Sequence, residues 1–174
     1  MKIVAGADLG VMYAEELRAY PPQVLKQMKL PEMTSGEAIF KRCYAGCPSI
    51  GFEVDGRAVG GCLMEENKMH LAVHPDFHGV WTLQIAEVFD WVFSHSDPAI
   101  GRIYAGNRPA LRLAHHIGGE VLGREHCPAT GLDFMHIEFT SERMVWRRSS
   151  RHRDRRARRA LTPRTAGLEI SAAV

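Results

Sequence analysis

The stretch Met69-His70-Leu71-Ala72-Val73-His74-Pro75-Asp76-Phe77-His78-Gly79-Val80-Trp81 decides the fold. Residues 68–73 read as a strand, Pro75 to Gly79 as a turn or loop, and residues 81–94 as a helix. The helix is marked by Trp81, Ile85, Val88, Phe89 and Val92 at helical spacing, with Glu87 and Asp90 off that stripe. A loop that runs into a helix presents backbone N–H groups without intrahelical acceptors, and the helix dipole adds positive potential there. Glycine in such a loop lets an anion approach the backbone.

Outward from this unit the chain keeps a mixed character. Upstream, residues 11–30 read as a helix that Pro21-Pro22 must break or kink. Thr34-Ser35-Gly36-Glu37 resembles a helix start leading into Ala38 to Tyr44. Residues 50–54 and 57–64 are strands joined by Asp55-Gly56, the dipeptide of a tight hairpin turn. Gly60-Gly61 in the return strand marks a bulge or a close backbone approach. Downstream, Ile100 to Ala105 is a strand, and Asn107-Arg108-Pro109 opens a helix whose apolar face is Ala110, Leu113, Ala114 and Ile117. Gly118-Gly119 ends it. Residues 120–124 and 133–140 are strands, the second alternating Met135, Ile137 and Phe139 against His136, Glu138 and Thr140. The order of elements predicts a mixed α/β domain with a partly antiparallel sheet.

Two segments carry a family resemblance. The opening segment resembles the strand-loop-helix unit of the GNAT acyltransferases, V-x-P-x-(Y/F)-(R/Q)-G-x-G-x-(G/A). Ile103-Tyr104-Ala105-Gly106-Asn107-Arg108-Pro109-Ala110-Leu111-Arg112-Leu113-Ala114-His115-His116-Ile117-Gly118-Gly119 is similar to that family's N-x-x-A-x-x-L-Y-x-x-x-G-F. The resemblance implies a GNAT-like, mostly antiparallel sheet flanked by helices over residues 1–146, with an Arg-rich C-terminal extension over 147–174. It also implies acetyl-CoA as cofactor, with its diphosphate at the loop and its pantetheine arm between two splayed strands. On that basis Val73, His78, Gly79, Val80, Trp81 and Asn107 are the candidate cofactor-binding residues, and His70 is the candidate base.

The sequence departs from the family pattern at several of these places. Trp81 and Leu83 stand where small residues usually follow Gly79, His78 replaces Arg or Gln, Ala114 stands in place of the acid tyrosine, and Gly119 replaces an aromatic. If the indole fills the diphosphate's place, Trp81→Gly should improve coenzyme binding. Such a Gly-x-Trp loop is similar to GNAT-like proteins of tailed bacteriophages. That likeness implies a virion-associated or head-assembly protein with a degenerate acetyl-CoA site and no required cofactor. The alternative is an acetyl-CoA-dependent N-acetyltransferase with an unidentified amine acceptor.

Other side chains admit plainer roles. Glu65 and Glu66 are further base candidates that also suit a solvated strand end, and His115-His116 suit an exposed helix end as well as a replacement acid. Trp81 and Trp91 suit the core better than a stacking platform. His70, His74 and His78 recur every four residues, but a strand followed by a turn does not gather them as a helix would, so no metal site is expected. Cys43, Cys47, Cys62 and Cys127 read as reduced thiols.

Composition sets the remaining bounds. The 174 residues are 45% hydrophobic and 24% charged, which excludes a wholly disordered chain. No apolar run approaches the ~20 residues of a membrane helix, and the N-terminus lacks a secretory pattern. These bounds predict no secretion and no membrane partner, and the phage likeness implies a virion or the host cytoplasm as the location. The net charge of +2 conceals an asymmetry. Residues 147–174 hold nine arginines against Asp154 and Glu169, whereas residues 1–146 hold 13 basic and 18 acidic residues. Arg151, Arg153, Arg155, Arg156, Arg158 and Arg159 are the candidate partner-binding residues, for neighbouring protein subunits or for nucleic acid phosphates.

Overall fold

Period-two alternation sorts the side chains of this protein onto two faces of one sheet. The structure, a computed structural model, describes residues 1–27, 36–128 and 130–146. Seven strands form the sheet: β1 (Lys2–Ala5), β2 (Ser49–Val54), β3 (Arg57–Glu65), β4 (Lys68–Val73), β5 (Ala99–Tyr104), β6 (Glu120–Cys127) and β7 (Leu132–Phe139). Their spatial order is β1-β2-β3-β4-β5-β7-β6. Every neighbouring pair is antiparallel except β4 and β5, which are parallel. The helices are α1 (Leu9–Arg18), α2 (Pro22–Gln27), α3 (Gly36–Tyr44), α4 (His78–Trp81), α5 (Ile85–His95) and α6 (Arg108–Ile117). The mixed, mostly antiparallel sheet flanked by helices that the sequence predicts is what the described residues adopt.

Cys62 and Met64 of β3, Met69 of β4, Ala99 of β5 and Ile137 and Phe139 of β7 point to one face. There they pack with Val88, Phe89 and Val92 of α5 and Ala114 and Ile117 of α6. Phe89 is the hub, with ring centroids 5.1 Å from Phe139 and 5.8 Å from Phe93. Leu63 and Ala72 point to the other face, where Met12 of α1 and Phe40 and Tyr44 of α3 cover them.

Local chemistry sets several boundaries. Asp55 and Gly56 take φ of 52° and 76° in the β2–β3 turn, as the Asp-Gly signal requires. Asn107 caps α6 by accepting from the Ala110 N–H at 3.2 Å, and Gly118 ends that helix at φ 108°. Asp8 caps α1, accepting from Gly10 and Val11, so the first helix begins two residues before the expected Val11. It ends at Arg18, and Pro22 opens the separate α2. Residues 28–30 of the expected long helix, and Thr34 and Ser35 of the expected helix start, lie outside the described residues.

Two elements differ from the sequence reading. Lys2–Ala5 is a strand, pairing Lys2 with Glu53 through Ala5 with Ile50. The helix expected over residues 81–94 is interrupted: Trp81 ends α4, a 3-10 turn (Thr82–Gln84) follows and α5 carries the rest, while the expected turn before it holds a 3-10 turn at Pro75–Phe77. No helix among the described residues is long and apolar enough to cross a membrane.

Candidate functional site

Strands β4 and β5 pair at two positions only, Lys68 with Ile100 and Met69 with Gly101. Beyond them β4 continues through Val73 and β5 through Tyr104 without further pairing, so the two strands part. The opening has polar walls on the α1/α3 side, because residues on one strand face alternate. His70 follows Met69 on β4, and Arg102 follows Gly101 on β5.

His70 is partly buried, with its ring 4.9 Å from that of Tyr44 and its Nε2 3.9 Å from Glu65 Oε2. Burial lowers its pKa below the ordinary histidine value, against the opposing pull of Glu65, which keeps the imidazole neutral at pH 7. Tyr20, just after α1, stands with its ring 5.5 Å from Tyr104 of β5. Burial and the nearby Glu16 carboxylate push the Tyr20 phenol up to about 12, and burial, with a lesser part from Glu65, raises Tyr44 to about 12 as well. Both hydroxyls therefore keep their protons at neutral pH.

Arg102 is held from two directions. Its guanidinium donates to both Glu125 oxygens at 2.9 and 3.1 Å, reaching across β7 to β6, and lies 3.5 Å from the Phe134 ring centroid. Glu125 also accepts from His136 at 2.7 Å. Hydrogen bonds from Arg102 and His136 hold the Glu125 carboxyl down to about 2. A depressed carboxylate stabilises the fold above its unfolded value of about 4.5, and that contribution fades as pH falls toward 2.

At the far end of β4, the His74 N–H donates to Val59 O at 2.8 Å and His74 Nδ1 accepts from the Asp76 N–H at 3.3 Å. The next residues turn into α4, and the His78 ring reaches back to Val73 O at 3.0 Å. Gly79 and Val80 are exposed, and a Cβ at Gly79 would meet no atom within 4 Å. The backbone at Gly79 is therefore open to a ligand.

Trp81 lies differently from the expectation that its indole stands where a diphosphate would approach. The side chain is 3% exposed and packs in the α5/α6 core. Leu83 is 84% exposed and points into solvent. The plainer reading of Trp81 as a core residue is the one the packing shows. Trp81 shares the helical stripe of Ile85, Val88, Phe89 and Val92, and it enters the core with them.

The remaining candidates are dispersed. Asn107 spends its side-chain oxygen on the α6 cap. His70, His74 and His78 bond to different partners, and no three His, Cys, Asp or Glu among the described residues are placed to hold a metal. No disulfide joins the described cysteines. Arg151 to Arg159 lie outside the described residues. Two clefts flank the region. One of about 740 Å³ lies between α6 and β7–β6, lined by Arg108, Leu111, His115 and Met135. One of about 550 Å³ adjoins the loop after β4, lined by Val11, Glu15, His74 and Phe77. Sequence reasoning missed Glu16, Tyr20 and Arg102, although a glutamate four residues from Met12 and from Tyr20 was the available signal for a carboxylate turned toward the sheet.

No protein-family model and no curated protein matches the chain. Solved structures do match. A GCN5-related N-acetyltransferase from Rhodopseudomonas palustris aligns with 18% identity and a TM-score of 0.57, over 80% of this chain and 94% of that one. The ribosomal-protein-S18-alanine N-acetyltransferase from Escherichia coli aligns with 15% identity and a TM-score of 0.57, over 80% and 92% of the two chains. A spermidine N-acetyltransferase chimera from Vibrio cholerae and hSSAT aligns with 11% identity and a TM-score of 0.56, over 82% and 97%. Identities this low speak to architecture, and the described chain has the fold of the GCN5-related N-acetyltransferases.

Proposed function

We propose that this protein is an acetyl-CoA-dependent N-acetyltransferase. The observation that carries the reading is the parting of β4 from β5 after Met69 and Gly101, with an open glycine loop at the far end of β4. A strand that leaves its partner exposes backbone donors and acceptors, and a pantetheine arm with its amides can pair with them. The residues fit the coenzyme. Gly79 leaves its backbone uncovered, Trp81 is turned into the core and Leu83 is turned into solvent, so neither side chain fills the space above the loop.

Val73, His78, Gly79 and Val80 would flank the coenzyme, with Trp81 contributing its backbone alone. Asn107 would approach from the start of α6. Bound acetyl-CoA supplies an acetyl group as a thioester, whose carbonyl carbon an amine can attack. On the protein side, neutral His70 is suited to accept a proton from the attacking nitrogen. The protonated Tyr20 and Tyr44 hydroxyls are suited to donate, in the absence of a tyrosine at Ala114.

The assembly reading drew support from Trp81 and Leu83 at the diphosphate loop and from Ala114 in place of the acid tyrosine, and the positions of the Trp81 and Leu83 side chains remove the first of these. The three similar structures named above are acetyltransferases. The arm at residues 147–174, proposed to bind subunits or nucleic acid, lies outside the described residues and adds nothing to the choice.

Calorimetric titration of the full chain with acetyl-CoA tests the proposal. The expected result is saturable heat with a micromolar Kd, about −8 kcal/mol. Gly79→Asp, which places a negative side chain in the open space, should weaken binding at least about ten-fold. Absence of heat at millimolar acetyl-CoA would overturn the reading.

A further inference from the structure

A lysine stands at the closed end of the β4–β5 opening. Lys68 begins β4, paired with Glu65 of β3 on one side and Ile100 of β5 on the other. The turn before it is tied to β5, since the Ile100 N–H donates to Asn67 O at 2.7 Å. The Lys68 backbone is thereby fixed where the two strands are last in contact. His70 follows past the last paired position, on the same face of β4 and roughly 6.6 Å further along the strand.

One carboxylate oxygen has both side chains as neighbours. Glu65 Oε2 lies 3.8 Å from Lys68 Nζ and 3.9 Å from His70 Nε2. The His70 ring is held against Tyr44, whereas the Lys68 side chain is 61% exposed. An exposed ion pair at 3.8 Å restrains a lysine weakly, and the four-carbon stem can carry Nζ toward His70 with the backbone at rest. Burial first, and the Lys68 charge after it, lower the proton affinity of His70 against the pull of Glu65, which leaves a neutral imidazole beside the amine.

We infer that Lys68 is a self-acetylation site: with acetyl-CoA in the opening, the Lys68 amine takes the acetyl group from the coenzyme bound to its own chain. This inference rests on the acetyltransferase reading and adds to it a modification of the protein itself. Two protons must leave the nitrogen for an amide to form. The first passes from the ammonium to solvent, which frees the nitrogen lone pair. That pair forms the N–C bond to the acetyl carbonyl carbon as the C–S bond breaks and its electrons leave on sulfur. The second proton passes from the nitrogen to His70 and from there to the departing sulfur. The product carries a neutral amide where a cation stood, so Glu65 loses its Lys68 pair and the rim of the opening becomes more negative.

The test incubates the full chain with trideuteroacetyl-CoA and no added amine. The deuterium label separates new acetyl groups from any acquired before purification, and peptide mass spectrometry follows the unmodified fraction of each lysine. Lys2 is the internal control, since it is exposed on β1, two strands removed from β4. Proximity should make Lys68 react at least about ten-fold faster than Lys2. The Lys68 rate constant should not change on dilution of the protein, as a reaction within one chain requires. His70→Gln, checked for folding by a thermal scan, should bring Lys68 down to the rate of Lys2. Acetyl-CoA binding with Lys68 labelled no faster than Lys2 would overturn the assignment. So would a Lys68 rate constant that rises with protein concentration, or a folded His70→Gln that labels Lys68 as the wild type does. Failure of the wild type to bind acetyl-CoA in calorimetry would instead overturn the acetyltransferase reading beneath it.

Discussion

Gly60→Ala is expected to lower the unfolding free energy by about 3 kcal/mol or more, measured as a shift of the urea midpoint. Gly60 has φ of 153°, a conformation that residues with a Cβ rarely adopt, and holding one there costs roughly 1–3 kcal/mol. The added methyl would also stand 2.2 Å from Ala72 O and 2.8 Å from Val73 Cα. Both are backbone atoms of the paired strand, so no rotamer change relieves the contact and β3 must move from β4. The β2–β3 register slips beside this point, with Phe52 opposite Gly60 and Glu53 opposite Ala58, so Val59 is the extra residue of a bulge. Its carbonyl takes the His74 N–H and anchors the loop after β4. Loss of acetyl-CoA binding should accompany the loss of stability. A midpoint equal to that of the wild type would show that β4 is not held this closely.

Trp81→Gly should destabilise the protein by about 4 kcal/mol or more and should not improve coenzyme binding. Removing a buried large aromatic costs about 3–5 kcal/mol, and glycine inside a helical segment adds about 1 kcal/mol. Set against the 5–15 kcal/mol of a typical domain, that removes a large share of the stability. The indole is 3% exposed in the core under α5. A variant that melted like the wild type and bound acetyl-CoA more tightly would restore the blocking role inferred from the sequence and contradict the packing.

How much of this was legible in the sequence depended on how local the determinant is. Asp55-Gly56, Asn107 and Gly118 act within one or two turns of chain, and each stands where its chemistry implies. Met135, Ile137 and Phe139 mark a strand face by alternation alone. Gly60-Gly61 announced a close approach or a bulge, and the structure has both at Gly60. Lys2–Ala5 was not legible, because four residues carry little periodicity and their partner lies some fifty residues on.

The site was harder to read than the fold. The parting of β4 from β5 is a relation between two strands about thirty residues apart, and no local pattern encodes it. His70 and the Gly79 loop were readable as chemistry-bearing residues on a strand and in a turn. The inward position of Trp81 was legible in the stripe it shares with Val88, Phe89 and Val92, whereas its place beside a diphosphate came from the family pattern alone.

The most direct measurement is a crystal structure of the full chain with acetyl-CoA. The account predicts the pantetheine arm between β4 and β5 beyond Met69 and Gly101, the diphosphate over Gly79, and the thioester beside His70. Coenzyme bound elsewhere, or β4 and β5 closed along their length with no coenzyme between them, would contradict it.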